Sequence, residues 1–393
     1  MGPDMTRTRK NDACPGALSV HRAADGALAR IRLAGGMITA SQLTTLAEVA
    51  TRLGSPAMEL TSRGNIQLRG LTDTDAAASA LVDAGLLPST THERVRNIVA
   101  SPLSGRAGGL ADVRDLVSGL DLAIQAEPAL AELPGRFWFS LDDGRGDVSG
   151  LAADAGAHLL DSETAALLLG GVDTGVRVAT ADVVATLVTV AMRFVDIRRN
   201  AWRITELADT STLLTGFSST AQAGKRWPPT ATPPVGWIQQ CNGAVTLGAG
   251  LRLGVLTALD ARFLAAIEAP LAITPWRSVL VFDLDEATAD VALRVLAPRG
   301  LVFDENSPWL SVSACTGSPG CAKSAADVRS DAAEAVSTSP VSPAAHRHYV
   351  GCERACGSPP VGQVLVATGE GYRAREEQSD NRAREEQPDN ASP

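Results

Sequence analysis

Two stretches of this chain repeat the same order of patterns on either side of a proline-rich segment. The first extends from Arg32 to Leu71 and the second from Leu251 to Leu284, while the segment from Arg226 to Trp237 contains four prolines. Each stretch predicts a strand, a helix capped by threonine, a second strand and a helix that begins at an aspartate. Strands and helices of this length are typical of ferredoxin-like α+β units. We therefore expect a duplicated α+β chain with pseudo-twofold symmetry.

The helix of the first stretch shows the strongest local signals. Leu43, Leu46, Ala50 and Leu53 recur on one face, and Gly54 stands where a helix commonly ends. Other elements are expected as helices over 73–84 and 285–297, short strands over 97–102 and 310–315, and strand, turn, strand and buried helix over 167–192.

The composition excludes several classes of protein. Of the 393 residues, 45% are hydrophobic and 20% are charged, which excludes disordered and collagen-like chains. The net charge of -9 argues against a nucleic-acid partner, which would require a clustered basic surface. The apolar run over 183–192 is too short to cross a bilayer, and the N-terminus lacks the apolar segment of a secretory signal. We expect a cytoplasmic monomer that binds neither nucleic acid nor membrane.

Four of the six cysteines lie within 42 consecutive residues, as Cys315-x5-Cys321 and Cys352-x3-Cys356. Both pairs lie in loops rich in glycine and proline. In a reducing compartment this clustering indicates metal binding rather than disulfides. Neither spacing is the Cys-x2-Cys of structural zinc knuckles, so an iron–sulfur cluster is favoured, with zinc and unliganded thiols as alternatives.

Residues Met58 to Leu71 alternate in polarity as one strand would. A polar face of this kind can bind an anion that bears several carboxylates, although the solvated face of an antiparallel sheet has the same pattern. The apolar face would carry Leu60, Ile66 and Leu68, and the polar face Thr61, Arg63, Asn65, Gln67 and Arg69. Further arginines follow in short polar segments, at Arg94, Arg96, Arg136 and over 197–203.

At these residues the chain resembles the nitrite and sulfite reductase superfamily, whose members place an iron–sulfur cube beside a tetrapyrrole. The matching pieces, in family order, are LTSRGNIQLRG (60–70), RNIVASP (96–102), LPGRF (133–137), LLLGG (167–171) and both cysteine loops. Within the superfamily the chain is most similar to the precorrin-3B synthase branch, through ACPGALSVHRAADGALARIRLAGG near its start and HRHYVGCERACGSPPVGQVLVATGEGYR near its end.

This resemblance implies an oxidoreductase of aerobic cobalamin biosynthesis. The implied reaction is the oxygen-dependent hydroxylation of precorrin-3A at C20 with γ-lactone formation, carried out by an NADH- and O2-dependent monooxygenase. It also implies a nitrite/sulfite reductase-like fold, in which two ferredoxin-like half-domains accompany α/β domains that bind the cluster and the tetrapyrrole. The expected division is a first half-domain over 17–105, a first α/β domain over 106–222, a linker over 223–236, a second half-domain over 237–310, a 4Fe-4S-binding domain over 311–372 and a disordered tail over 373–393.

The resemblance also assigns roles to individual residues. By position, the ligands of a 4Fe-4S cluster would be Cys315, Cys321, Cys352 and Cys356. Arg63 and Arg136 match arginines that face the reacting centre, and we take both as catalytic and substrate-binding residues. Gln67, Arg96, Asn97, Arg199 and Arg203 are the further candidates for binding the tetrapyrrole and its carboxylates. Arg69 replaces a common histidine.

One departure separates the branches of the superfamily. Sulfite reductases carry two lysines that supply protons to bound sulfite, and Trp202 and Ile204 stand at those positions here. Neither side chain can deliver a proton, whereas larger apolar groups suit a bulky macrocycle. A sirohaem-dependent sulfite or nitrite reductase, with sirohaem as its cofactor, is therefore the alternative.

Dioxygen insertion requires one-electron chemistry, and the irons of a cube already have all their sulfur ligands. We therefore expect a separate mononuclear non-haem iron. His346 and His348 form the one close histidine pair of the sequence and would share a face of a strand, although a polar strand edge is the more common role of such a pair. The chain has no nicotinamide-binding glycine motif, so NADH is expected to act indirectly, through an electron-donating reductase or ferredoxin. Cys14 and Cys241 are expected to be unliganded.

Overall fold

The computed structural model of the protein describes residues 12–230, 232–338 and 346–375. Most of the tail predicted over 373–393 lies outside these residues. The helices are α1 (Ala40–Leu53), α2 (Thr74–Asp83), α3 (Arg114–Ala126), α4 (Val183–Ile197), α5 (Ala258–Ala265), α6 (Glu286–Leu296) and α7 (Val328–Thr338).

The strands fall into two similar series. Those of the first half are β1 (His21–Ala23), β2 (Gly26–Ile31), β3 (Met37–Ile38), β4 (Ala57–Leu60), β5 (Ile66–Leu71), β6 (Ile98–Ala100), β7 (Phe139–Asp142), β8 (Ala155–Leu159), β9 (Thr164–Leu169) and β10 (Val172–Ala179). Those of the second half are β11 (Gly236–Gln239), β12 (Val245–Gly250), β13 (Val255–Thr257), β14 (Leu271–Ile273), β15 (Ser278–Leu284), β16 (Val312–Ala314), β17 (Arg347–Val350), β18 (Gln363–Thr368) and β19 (Gly371–Ala374).

Two antiparallel sheets of five strands form the ferredoxin-like part of the molecule. The last strand of each sheet is contributed by the other half of the chain. Their orders are β1-β2-β5-β4-β13 and β11-β12-β15-β14-β3. Strand β13 pairs with β4, and β3 pairs with β14. Helices α1 and α5 pack against each other, and one hydrophobic core contains buried residues of both halves. The predicted duplicated α+β fold is thereby confirmed.

The corresponding turns of the two halves show the duplication at the level of single residues. Thr39 caps α1 and Thr257 caps α5, each through its hydroxyl oxygen. The turn between β4 and β5 contains Gly64 at a φ of 65°, and the turn between β14 and β15 contains Arg277 at a φ of 59°. Gly64 packs so closely on the backbone oxygen of Ile273 that an added Cβ would lie 2.8 Å from it. The turn of the first half therefore requires glycine at residue 64, whereas the corresponding turn of the second half has room for the side chain of Arg277.

The stretch from Met58 to Leu71 is not the single strand that its alternation predicts. It forms a hairpin, in which β4 and β5 are joined by a turn over residues 61–65. The hydroxyl oxygen of Thr61 accepts hydrogen bonds from the backbone amides of Arg63, at 3.3 Å, and Asn65, at 3.1 Å. Gly64 supplies the positive φ that reverses the chain. Arg63 therefore projects from a turn, whereas Gln67 and Arg69 lie on the returning strand.

Two further sheets contain parallel strands and carry the remaining helices. In the first, β6, β7 and β8 are parallel neighbours, and α3 and α4 contribute to its hydrophobic core. In the second, β16, β17 and β18 are parallel neighbours, and α7 covers them. The carboxyl ends of parallel strands meet at one edge, where loops can form a site. No helix of the described residues is both long and apolar enough to traverse a membrane.

Candidate functional site

A cavity of about 660 Å³ opens beside the β4–β5 hairpin and reaches the cysteine loops. Its lining includes residues of β2, the hairpin, the segment between α3 and β7, the loop after α4, and the second half of the chain. Among the predicted site residues, those that line it are Arg63, Gln67, Arg136, Cys315 and Cys356. Arginines from four other places in the chain join them, namely Arg30, Arg277, Arg329 and Arg354.

The four clustered cysteines lie at the carboxyl ends of two neighbouring parallel strands. Cys315 directly follows β16, and Cys352 is the second residue after β17. The backbone amide of Cys315 donates to the carbonyl oxygen of Tyr349 at 2.9 Å, and the amide of Gly351 lies 3.4 Å from the Cys315 sulfur. The sheet thus brings together two loops that are separated by thirty residues of sequence.

The electrostatics of Cys356 show how near the other thiols lie. Burial, and then the proximity of Cys315, Cys352 and Cys321, raises the pKa of the Cys356 thiol. A metal that binds thiolate would overcome this effect, because coordination deprotonates a thiol. The two cysteine loops therefore lie side by side in the fold, and the role of the four cysteines as ligands stays a prediction.

The spacing of these thiols distinguishes between kinds of metal site. Among the described residues, Asp142, Asp143 and Asp147 form the one group of three potential ligands whose atoms all lie within 4.8 Å of one another, so no three thiols are that close. A single tetrahedral zinc, with Zn–S bonds of about 2.3 Å, would bring its sulfurs to about 3.8 Å. No three thiols of the described residues are therefore as close as the sulfurs of one zinc site, and the iron–sulfur cluster stays a prediction.

The three carboxylates occupy the place in the first α/β sheet that the cysteine loops occupy in the second. Asp142 ends β7, and its two oxygens accept four hydrogen bonds from backbone amides. Arg145 pairs with Asp143 at 2.6 Å and lies 3.7 Å from Asp147. Backbone amides and a guanidinium therefore satisfy this group.

Arg63 presents a guanidinium that no carboxylate of the described residues neutralises. It lies 5.5 Å from the ring centroid of Trp138, and its side chain is half-buried at the cavity wall. Burial, and then the positive charge of nearby Arg203, lowers the pKa of Arg63 to about 9. The side chain remains charged at neutral pH, so an anionic group in the cavity would be attracted to it.

Arg136 and Trp202 form a second part of the rim. The Arg136 guanidinium lies 5.3 Å from the ring centroid of Trp202. The backbone amide of Arg136 donates a hydrogen bond of 2.7 Å to the carboxylate of Asp12. Trp202 lines the cavity, whereas Ile204 is only 2% exposed and belongs to the core of the first α/β domain. Of the two residues predicted to stand at the lysine positions of sulfite reductases, Trp202 therefore faces the cavity.

Gln67 is held by partners that the sequence analysis did not select. Its Oε1 atom accepts a hydrogen bond of 3.0 Å from Nε of Arg30, and its Nε2 atom donates to Glu59 at 3.0 Å. Arg30 also lies 3.1 Å from the sulfur of Cys14, which lines the cavity. A sequence signal was available, because Arg30 lies on β2 and Arg32 follows two residues later, but the partner strand and its register were needed to place Arg30 opposite Gln67.

Four other predicted substrate-binding residues lie outside the cavity lining. Arg96 pairs with both oxygens of Asp121, at 2.7 and 2.8 Å, and Arg203 pairs with Asp154 at 2.7 Å. Arg199 is exposed at a φ of 48°. Asn97 is buried, and its amide donates to the carbonyl oxygen of Gly135 at 3.0 Å, beside Arg136. Their roles toward a substrate stay predictions.

The histidine pair is tied into the protein rather than directed at the cavity. Both rings bind the hydroxyl of Ser313, His346 through Nε2 at 2.8 Å and His348 through Nδ1 at 2.7 Å. The Nε2 atom of His348 donates to the carbonyl oxygen of Cys356 at 3.0 Å. Both nitrogens of His348 are therefore engaged, which favours a structural role over the hypothesis of an iron ligand.

Comparisons with known proteins are consistent with this geometry. The family model of the nitrite/sulfite reductase ferredoxin-like half domain matches residues 21–80. A precorrin-3B synthase of Sinorhizobium sp is 26% identical over 382 residues, which cover 92% of this chain and 82% of the relative. The solved structure of the Mycobacterium tuberculosis NirA protein aligns with a TM-score of 0.73 at 19% identity, covering 88% of this chain and 73% of that one.

Two nitrite reductases are similar over a shorter stretch. The ferredoxin–nitrite reductases of Synechococcus elongatus and Leptolyngbya laminosa are 36% identical over 127 residues and 35% identical over 117 residues. These matches span about a quarter of the relatives' length, 25% and 23%. The resemblance predicted from the sequence is confirmed: the chain contains a nitrite/sulfite reductase ferredoxin-like half domain, shares the fold of the NirA protein, and is similar to a precorrin-3B synthase over most of its length.

Proposed function

We propose that this protein is an oxidoreductase of cobalamin biosynthesis that hydroxylates precorrin-3A at C20 with dioxygen and allows the γ-lactone to form. The proposal is supported by similarity to a precorrin-3B synthase across 92% of the chain. The observation that carries it is the single cavity that joins unpaired positive charge at Arg63 to the cysteines Cys315 and Cys356.

The chemistry of the substrate matches the wall of this cavity. Precorrin-3A is a large macrocycle edged by carboxylates, which guanidinium groups bind through paired hydrogen bonds. Arg63 and Arg136 would hold two of these carboxylates, and Gln67 together with Arg30 would hold a third polar group. Fixing the macrocycle in one orientation presents one carbon to the oxidant and contributes several kcal/mol to catalysis.

Trp202 would supply the apolar contact of the site. Its ring is already oriented by Arg136, and a macrocycle can stack on an aromatic face that a lysine could not provide. Large apolar side chains also displace water from the reacting face. This part of the wall therefore suits an organic substrate better than a small oxyanion.

The residues that would hold a 4Fe-4S cluster are Cys315, Cys321, Cys352 and Cys356, which lie in two loops that the second α/β sheet brings side by side. When bound, such a cluster supplies electrons one at a time. The overall reaction consumes one dioxygen, two electrons and two protons, places one oxygen atom on the substrate and releases the other as water. NADH would be the indirect electron source, through a separate reductase or ferredoxin, and a mononuclear non-haem iron would accompany the cluster at a site of unassigned ligands.

The experiment that tests this function is anaerobic purification followed by turnover. Precorrin-3A is supplied with reductant and ¹⁸O₂, and the product is analysed by mass spectrometry. We expect one labelled oxygen atom per product molecule and dependence of the rate on the cluster. Unchanged precorrin-3A in the presence of an intact, reducible cluster would contradict the proposal.

The alternative is a sirohaem-dependent sulfite or nitrite reductase, which the similarity to two ferredoxin–nitrite reductases supports. Such a reduction needs six electrons and many protons, and Trp202 lines the cavity where that chemistry would use lysine. Purified protein with a sirohaem absorption band, and with reduction of nitrite or sulfite by a dithionite-reduced mediator, would favour this alternative.

A further inference from the structure

We propose that Arg69 is a positioning residue that fixes the first cysteine loop against the first ferredoxin-like half-domain. The inference deepens the proposed function and rests on its assignment of Cys315 and Cys321 as cluster ligands. It concerns a residue that the resemblance leaves without a role, because Arg69 stands where the resembling proteins commonly have histidine.

The contacts of Arg69 join three distant parts of the chain. Its Nε and Nη2 atoms donate to the two carboxylate oxygens of Asp25, at 2.8 and 2.9 Å. The Nη2 atom also donates to the backbone carbonyl of Gly320, at 2.9 Å, and Gly320 immediately precedes Cys321. Arg69 is only 9% exposed, so these bonds lie largely out of water. A guanidinium has enough donors in one plane for both partners at once.

Glu59 extends this clamp to the other end of the same loop. It lies on β4 and is 8% exposed, with an oxygen 3.7 Å from Nε of Arg69. Its carboxylate accepts a hydrogen bond of 3.3 Å from the hydroxyl of Thr316, which directly follows Cys315, and pairs with Arg329 at 2.6 Å. The loop from Cys315 to Cys321 is therefore tied to the first half-domain beside both of its cysteines.

The same carboxylate also reaches the substrate cavity. Glu59 accepts from Gln67, which lies two residues before Arg69 on β5 and faces the cavity wall. Residues two apart on a strand share a face. On this face of β5, Gln67 is directed to the cavity and Arg69 to the cysteine loop. The clamp therefore sets the distance between the macrocycle site and the thiols, which governs electron transfer between them.

The experiment compares Arg69→Lys and Arg69→Gln with a matched control. Lysine keeps the charge but cannot bond Asp25 through two nitrogens and Gly320 at once, and glutamine removes the charge. The control is Arg106→Gln, because Arg106 is 7% exposed and makes a two-point pair with Asp283 that does not involve the cysteine loop. Circular dichroism and thermal unfolding verify that each variant folds.

The first readout is the alkylation of Cys321 in metal-free protein, followed by peptide mass spectrometry. We expect the rate to rise about tenfold in Arg69→Gln, to a smaller extent in Arg69→Lys, and less than twofold in Arg106→Gln, since local opening is what exposes the thiol. The second readout is the iron and acid-labile sulfide content and the electron paramagnetic resonance spectrum of the reconstituted protein, which should change only in the Arg69 variants.

Alkylation rates and spectra of the Arg69 variants that match those of the wild type or of Arg106→Gln would overturn the inference. The proposed function would be unaffected by that result, because the cluster would still be present. Failure of the wild type to take up iron and sulfide would instead contradict the proposed cofactor, and the alkylation of metal-free protein would still decide the role of Arg69.

Discussion

The guanidinium of Arg63 lies 5.5 Å from the ring centroid of Trp138, and no carboxylate of the described residues pairs with it. Other arginines of this fold do have such a partner, as Arg69 has in Asp25 and Arg96 in Asp121. A half-buried charge without a counterion costs free energy that an incoming anion can recover. Arg63 therefore marks a place on the cavity wall where an anionic ligand would supply the missing partner.

Replacing Arg63 with alanine should weaken macrocycle binding by about 10- to 100-fold, because one charge-assisted hydrogen-bonded contact is worth about 1.5–3 kcal/mol. Anaerobic absorption titration with precorrin-3A measures the affinity. The iron–sulfur spectrum should be unchanged, and Arg294→Ala, which removes an exposed pair with Asp290, should not affect binding. Loss of the cluster spectrum in Arg63→Ala would show that the residue is structural.

Replacing Cys352 with serine should abolish the cluster chromophore and the oxygenation activity together. The hydroxyl of serine is a poor ligand for iron where a thiolate is required, so iron and labile sulfide should fall well below the wild-type content. Cys241→Ser is the matched control, because Cys241 is an exposed cysteine far from the clustered four in sequence. Full iron and sulfide in Cys352→Ser would exclude Cys352 as a ligand.

Replacing Trp202 with alanine should weaken macrocycle binding by about 5- to 30-fold, because the substrate loses an aromatic surface worth about 1–2 kcal/mol. The same titration measures it, with Trp237→Ala, an exposed tryptophan on β11, as the control. An unchanged affinity would mean that the macrocycle does not contact this part of the wall.

The stability of the fold should depend on pH through Asp147. Burial, and then the charge of Asp142, raises the pKa of Asp147 to about 7, although Ser101 donates to it and Arg145 lies nearby. The native state binds this proton more tightly than the unfolded chain does. The stabilisation is therefore complete below about pH 4 and is lost as the pH rises through about 7.

Between pH 5 and pH 8 the free energy of unfolding of the wild type should fall by about 1–3 kcal/mol because Asp147 loses its proton. Asp147→Asn cannot titrate at this position and should not show this decrease. Urea denaturation at both pH values measures the difference. Asp161→Asn, at a fully exposed carboxylate, serves as the control. An equal change in the free energy of unfolding between the two pH values, in the wild type and in Asp147→Asn, would contradict the raised pKa of Asp147.

Leu46→Ala should destabilise both half-domains in one transition, since Leu46 is fully buried in a core to which both halves contribute. We expect a loss of about 2–5 kcal/mol, as is usual for a leucine removed from a packed core. Calorimetry should show one common transition of the two half-domains, shifted to lower temperature, and two separate transitions would contradict a shared core. Leu122→Ala, at a side chain that is 68% exposed, should change stability by less than about 0.5 kcal/mol.

The sequence was informative where local chemistry determines structure. The capping box of Thr39 and Gln42 begins α1, and Asp73 and Asp285 cap α2 and α6, as the pattern of residues predicted. The order of elements in the two halves was readable for the same reason. The prediction of one strand between Met58 and Leu71 was wrong. Polar and apolar residues alternate through the turn as well, so the pattern did not show where β4 ends and β5 begins.

Site residues were harder to predict because they depend on contacts distant in sequence. The sequence marks Arg96 and Arg63 alike as arginines in polar segments, but only the fold shows that Asp121 neutralises the first. It also could not show that Cys14 and Arg30, sixteen residues apart, would meet at the cavity wall. The spacing of the clustered cysteines needed no such information, since each pair is local.

The exchange of edge strands has a consequence for how this protein is made. Strand β4 ends at residue 60, whereas its partner β13 begins at residue 255. During synthesis on the ribosome, the edge of the first sheet at β4 must therefore stay unpaired until most of the chain has been translated. Two polypeptides cut at the proline-rich segment would each carry the strand that the other lacks, and would regain the native arrangement only by joining as a reciprocal pair.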